Sequence, residues 1–244
     1  MERVEYHRMA TLEDTMWWYR ALHAGLIDRL NRCNLSSGAP VLDAGCGTGG
    51  LLARLSRARP DLVLAGLEYD AEAARLAQAK TGLPVTVGSV NAMPYGDGSF
   101  QAIVSADVLC HAGVRETAAL AEFRRCLRPG GRLLLNLPAY QWMASAHDEH
   151  VHNVRRYTAG GARDMLAAAG FTGVRTGYWN SLPFPLMLLH RLLAGRGQAG
   201  SDVRPFPAWQ DRLFFSVTAV ERRLFGRGAG LPFGGSVWVW ASKP

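Results

Sequence analysis

A short apolar run, Val41-Leu42-Asp43-Ala44, passes directly into the turn Gly45-Cys46-Gly47-Thr48-Gly49-Gly50. Glycines let a backbone reverse sharply and approach another group closely. A strand entering such a turn is therefore expected to lead into a helix, and the spacing predicts one over Leu51–Arg59. The alternation then repeats. Short apolar strands are predicted at 62–67, 85–87, 102–104, 132–136, 174–179 and 236–240, with helices at 71–80, 116–126 and 162–169 between them. Strands alternating with helices of about 10–15 residues point to an α/β chain with a mostly parallel sheet covered on both faces.

The whole chain, 1–244, reads as a single domain in four parts. Residues 1–36 are an N-terminal helical cover, with one amphipathic helix expected over 9–32 around the aromatic cluster Trp17-Trp18-Tyr19. Residues 37–179 form the alternating core. Residues 180–233 are a helical insertion or cap, with helices expected at 186–193 and 213–225 joined by a Gly- and Pro-rich link over 195–207. Residues 234–244 hold the last strand. No run of 18 apolar residues is present, and Met1-Glu2-Arg3-Val4-Glu5 lacks the apolar stretch of a secretory signal. Four single cysteines, Cys33, Cys46, Cys110 and Cys126, show no metal-type pairing. A cytoplasmic location without a metal site is the expectation.

Net charge is +7, and its distribution is uneven. Residues 1–120 carry 11 basic and 13 acidic side chains; residues 121–244 carry 16 and 7. Lys80 and Lys243 are the only lysines. Arginine's planar fork suits carboxylate and phosphate, so the second half suits an anionic small molecule, a lipid surface or RNA.

The turn satisfies G-x-G-x-x-G, and Glu68 ends the second strand, placed to accept from both ribose hydroxyls. A nicotinamide dinucleotide and S-adenosylmethionine both fit these residues. Asp43 separates them. A carboxylate two residues before the first glycine repels a pyrophosphate but can receive the ammonium of an amino acid. Val41 to Gly49 resembles the first motif of the class I S-adenosylmethionine-dependent methyltransferases. The resemblance continues through Gly66-Leu67-Glu68-Tyr69-Asp70, Ala92 to Phe100, and Leu127-Arg128-Pro129-Gly130-Gly131-Arg132-Leu133. These four motifs stand in the family's order across roughly residues 40–180.

That resemblance implies a Rossmann-like, doubly wound, mostly parallel seven-stranded sheet and S-adenosylmethionine as cofactor. It implies cofactor contacts from Asp43, Gly45, Cys46, Gly47, Thr48, Glu68, Tyr69, Ser89, Val90, Asn91 and Ala106. Arg20 is expected to pair with the cofactor carboxylate, with Tyr6 beside it. Two positions depart from the family pattern: Ser89 and Gln101 stand where an acid is usual.

The acceptor is expected beyond the ends of the fourth and fifth strands. There Ser105 to His111 is unlike the Asn-Pro-Pro-Tyr sequence of DNA amine methyltransferases. The stretch Tyr140 to Thr158 resembles a group of bacterial methyltransferases carrying an aromatic, His-Asp and Arg-Arg-Tyr segment. His111 or His147 is a candidate general base, with Asp148 to orient it. Tyr140, Trp142, Arg155, Arg156 and Tyr157 are candidate acceptor contacts, the two arginines as a clamp on an anionic group. His147, Asp148, His150 and His152 are metal-ligand types, but their spacing matches no metal signature. The expected activity is in-line methyl transfer to a small-molecule or lipid-like acceptor. An RNA methyltransferase, a nicotinamide oxidoreductase and a noncatalytic cofactor-binding protein are the alternatives.

Overall fold

The computed structural model describes residues 3–194, 206–225 and 231–244. Seven strands, β1 Pro40–Ala44, β2 Val63–Glu68, β3 Val85–Val87, β4 Phe100–Ala106, β5 Leu127–Pro138, β6 Thr172–Trp179 and β7 Ser236–Ser242, form one sheet. Their spatial order is β3-β2-β1-β4-β5-β7-β6. The pairs β1–β2, β1–β4, β2–β3 and β4–β5 are parallel. Only β7 runs antiparallel, against β5 on one side and β6 on the other. The strand order reverses at β1 and β4, so the ends of these two strands open a crevice where a ligand can sit.

The helices are α1 Arg3–Leu12, α2 Trp17–Asn31, α3 Gly50–Ala58, α4 Ala71–Thr81, α5 Glu116–Cys126, α6 Ala146–His150, α7 Ala159–Ala168, α8 Phe184–Ala194 and α9 Ala208–Phe225. Alternation along the strands sends successive side chains to opposite faces. Leu42, Ile103, Leu133 and Leu135 face the core made with Leu120 and Phe123 of α5 and Leu166 of α7. Val41, Val104 and Leu134 face Leu22, Leu26 and Leu30 of α2 and Leu52 and Leu55 of α3. Two apolar layers on one sheet explain why the central strands read as short, almost wholly apolar runs.

The single helix expected over 9–32 is two helices. The chain breaks at 13–16 because Glu13 turns inward, 3% exposed, and accepts from the Thr48 hydroxyl at 2.7 Å and the Gly50 N–H at 3.1 Å. Other termini follow local chemistry. The Asp70 carboxylate caps α4 by accepting from the N–H groups of Glu72 and Ala73, and Thr158 caps α7 through the N–H of Gly161. Helices α8 and α9 occupy the stretch between β6 and β7; the link expected over 195–207 lies mostly outside the described residues.

Gly49 starts α3 with φ +90°, and a Cβ there would stand 2.9 Å from Cα of Ala77 in α4. Gly82, with φ +68°, has open space around it. Gly82→Ala therefore isolates the backbone cost of the left-handed conformation, about 1–2 kcal/mol. Gly49→Ala also forces two helices apart, and a loss of about 2–4 kcal/mol is expected in urea unfolding.

Candidate functional site

Strands β1 and β2 deliver Asp43 and Glu68 to the crevice beside the glycine turn. Glu68 is buried and fully engaged: one carboxylate oxygen accepts the Gly47 N–H at 2.8 Å, and the other accepts the Asp70 N–H at 3.0 Å and the Tyr6 hydroxyl at 3.2 Å. Asp43 is 2% exposed, and its Oδ2 has no hydrogen-bond partner. Burial, then the charges of Glu68 and Glu13, push its carboxyl up to about 8. An orphaned buried carboxylate beside two other acids favours a cation.

The N-terminal segment closes over this cradle. Met9 reaches Gly47, where an added Cβ would meet its Cε at 2.6 Å. Glu13 accepts from Lys80 Nζ at 2.5 Å as well as from Thr48 and Gly50. Cys46 is buried beneath the turn, and Tyr69 is exposed at its rim. After β3, the Ser89 hydroxyl accepts the Asn91 N–H at 3.1 Å, and Val90 is buried. The Asn91 amide donates to Gly113 O and accepts from the Arg115 N–H, both at 2.8 Å. Asn91 thus ties this segment to the start of α5 and is not free to contact an adenine. Thr48 is likewise committed to Glu13. Arg20 is placed differently from the expectation: it pairs with Asp211 of α9 at 3.3 Å and lies over the Phe215 ring at 3.9 Å.

The stretch after β5 also departs from its expected role. Asp148 and Arg156 form a buried bidentate ion pair with contacts of 2.9–3.2 Å. The Asp148 carboxylate also accepts the Ser145 N–H at 2.7 Å, and Arg156 donates to Ala139 O at 3.1 Å. Arg155 donates to three carbonyls, of Leu109, His111 and Val114. Tyr157 donates to Glu116 and Leu109 O. These residues fasten the β5–α7 connection to the β4–α5 loop. The expected anion clamp is not present as a free pair: Arg156 is buried against Asp148, and Arg155 turns Nε and Nη2 to backbone carbonyls. Among the described residues, Asp148 orients Arg156. His111 donates from Nδ1 to Val151 O at 2.8 Å, and burial lowers its pKa to about 4. The side chain of His147 lies outside the described residues.

Two other groups meet where the acceptor was expected. Asp107 follows Ala106 at the end of β4 with φ +54°, a costly conformation for a residue other than glycine. Both its carboxylate oxygens accept from Asn136 Nδ2 of β5 at 3.0 Å. The Asn136 oxygen accepts from Trp179 Nε1 of β6 at 2.6 Å, which fixes the amide with its nitrogen toward Asp107. Desolvation raises the Asp107 carboxyl to about 7, opposed by the Asn136 hydrogen bonds. The sequence marks this aspartate only by its place within Ser105 to His111, as an acid at a crevice-facing strand end. Tyr140 stacks on Trp142 and Tyr178 with ring centres 5.4 and 5.2 Å apart, and Phe184 of α8 packs against Tyr140 at 5.9 Å. These rings form an aromatic wall.

Residues 42–135 match a family described as a methyltransferase domain. The matched stretch runs from β1 to β5, and it is this part of the chain that is similar to a methyltransferase domain. A 24-methylenesterol C-methyltransferase of Arabidopsis thaliana is 34% identical over 142 residues, covering 54% of this chain and 38% of the relative. A malonyl-[acyl-carrier protein] O-methyltransferase of Herminiimonas arsenicoxydans is 35% identical over 96 residues, covering 39% and 36%. The chain spans between 33% and 65% of the length of three of its curated relatives. In fold, the domain is similar to a methyltransferase in complex with the activator Trm112 of Haloferax volcanii. There the TM-score is 0.66 at 21% identity, covering 99% of this chain and 95% of that one. A geranyl diphosphate methyltransferase gives a TM-score of 0.62 at 17% identity, covering 93% and 78%.

S-adenosylmethionine is the cofactor of methyltransferase domains of this type, and the residues present fit it: Asp43 keeps an orphaned carboxylate oxygen for a cationic group, and Glu68 would meet a ribose hydroxyl by exchanging the Tyr6 hydroxyl for it. Two outcomes are expected. Asp148→Asn leaves Arg156 buried without its full partner, so about 3–5 kcal/mol of stability should be lost in thermal unfolding. The second concerns pH. With its pKa raised, the folded protein holds a proton on Asp43 that the unfolded chain releases, so this group's contribution to stability falls as pH rises from about 4 to 8. A cationic ligand favours the ionised form. Calorimetric affinity for S-adenosylmethionine should therefore strengthen between about pH 6.5 and pH 8.5, and Asp43→Asn should flatten that dependence.

Proposed function

We propose that the protein transfers a methyl group from S-adenosylmethionine to a small-molecule or lipid-like acceptor with an apolar body. The unpartnered, buried Asp43 beside the glycine turn carries this reading, because its charge suits a cationic cofactor and opposes a dinucleotide. The aromatic wall of Tyr140, Trp142, Tyr178 and Phe184, together with the sterol and acyl-carrier relatives, supports the acceptor class. With Arg156 buried against Asp148 and Arg155 turned to backbone carbonyls, no anionic group on the acceptor is part of the reading.

When bound, the cofactor supplies an electrophilic methyl on a sulfonium. Asp43 and Glu68 provide the negative field and the ribose acceptor. Glu13, Met9 and Tyr6 keep water from the turn. Orienting two reactants supplies on the order of 7–11 kcal/mol, so positioning alone accounts for much of the rate. For an O–H or N–H acceptor a base is also needed. Asp107 serves better than His111: its carboxyl is poised near neutrality, whereas His111 is too weak a base. The acceptor proton passes to the Asp107 carboxylate, which Asn136 and Trp179 hold in place.

Titration with S-adenosylhomocysteine should show micromolar binding and NADH none; binding of NADH alone would return the chain to hydride chemistry. Once an acceptor is found by release of S-adenosylhomocysteine, Asp107→Asn should lower kcat by about 10²-fold or more while leaving cofactor affinity unchanged. A loss below about fivefold would remove the base assignment, because general-base contributions are typically far larger.

A further inference from the structure

Helix α9 divides sharply into two faces. Its acids, Asp211 and Glu221, both point inward. Asp211 accepts the Trp17 N–H at 2.5 Å and pairs with Arg20, and Glu221 accepts the N–H groups of Ser181 at 2.8 Å and Leu182 at 3.0 Å. Arg222 also turns in, to Asp28 at 2.7 Å. These contacts fasten α9 to α2 and to the segment entering α8.

The outward face has a different chemistry. Trp209 (68% exposed), Leu213 (50%), Val220 (47%) and Leu224 (67%) point to solvent. At 100° per residue they fall within an arc of about 60°, with the exposed Arg212 and Arg223 along one edge of it. No acid of α9 lies on this face. The apolar row runs along most of an 18-residue helix, roughly 27 Å long. Leu182, held to α9 by Glu221, adds a further exposed apolar side chain, as do Leu186 and Leu189 of α8. The sequence over 181–233 carries seven arginines against three acids.

We propose that this face docks the protein peripherally on an anionic phospholipid bilayer, with α9 lying in the plane of the interface. The apolar row would enter the boundary between headgroups and acyl chains while Arg212 and Arg223 reach lipid phosphates, the pattern of an in-plane amphipathic helix. Among the described residues no helix is long and apolar enough to cross a membrane, so any membrane association of these residues is peripheral. The charge decides between occupants: a second copy of the chain would set arginine against arginine, whereas anionic lipid neutralises both. This inference holds whatever acceptor is methylated.

Co-sedimentation with vesicles tests it, using pure phosphatidylcholine and phosphatidylcholine with about one third phosphatidylglycerol; added salt should weaken the attraction. The full chain should pellet with the anionic vesicles, weakly or not at all with neutral ones, and release as salt rises. The double variant Arg212→Glu/Arg223→Glu should weaken vesicle binding by at least about tenfold, and Leu213→Ser/Leu224→Ser should weaken it similarly. Both variants should keep wild-type circular dichroism and affinity for S-adenosylhomocysteine, since the residues touch neither the core nor the cradle. If either variant misfolds, the emission of Trp209 in the otherwise unchanged chain, read as the difference from Trp209→Phe, should shift to the blue on anionic vesicles. Wild-type protein that stays in the supernatant with both vesicle types, or folded variants that pellet as well as wild type, would overturn the proposal. So would a concentration-dependent dimer that both variants abolish without any vesicle binding by the wild type.

Discussion

Three carboxylates, Asp43, Glu68 and Glu13, converge on one glycine turn, and the rest of the site is arranged around that negative charge. Lys80 is the cation in direct contact, and it serves Glu13. His23, packed near the same turn, is neutral because burial lowers its pKa to about 3. Glu68 is met by N–H and hydroxyl donors rather than by a counter-charge. That leaves Asp43 short of a partner in a dry setting, where such a group costs stability. On the proposed reading, a cationic ligand would offset this cost on binding.

The sheet and its flanking helices were legible because both signals are local. A short apolar run such as Leu133-Leu134-Leu135, entered from Pro129-Gly130-Gly131, suits a strand covered on both faces, and the glycine turn specifies a strand–helix junction within six residues. The break between α1 and α2 was not legible. It depends on Glu13 reaching Thr48 and Gly50 some 35 residues away, and helical periodicity carries no trace of a contact made across the fold.

The acceptor region shows the same division more sharply. Arginine, aspartate and histidine in a short stretch read as chemistry, yet Arg155, Arg156 and Asp148 bind the protein's own groups. Their residue types are those of an active site because a buried ion pair and a carbonyl-binding fork need the same chemistry as ligand recognition. Asp107 gave no comparable signal; its importance comes from the sheet order, which sets β5 beside β4 and β6 beyond it across β7, and so brings Asn136 and Trp179 to it from 29 and 72 residues further along the chain.

The antiparallel placement of β7 between β5 and β6 has a consequence for how the molecule is made. In the sheet, β6 has β7 as its sole neighbour, so the strand that carries Trp179 cannot take its place until residues 236–242 have been synthesised. Through that interval β1 to β5 can already be paired, while the open edge of β5 and the apolar segments of α8 and α9 wait together. Edge strands left open in this way invite pairing with other chains. The helices that precede β7 therefore emerge during the period in which the half-built sheet most needs shielding.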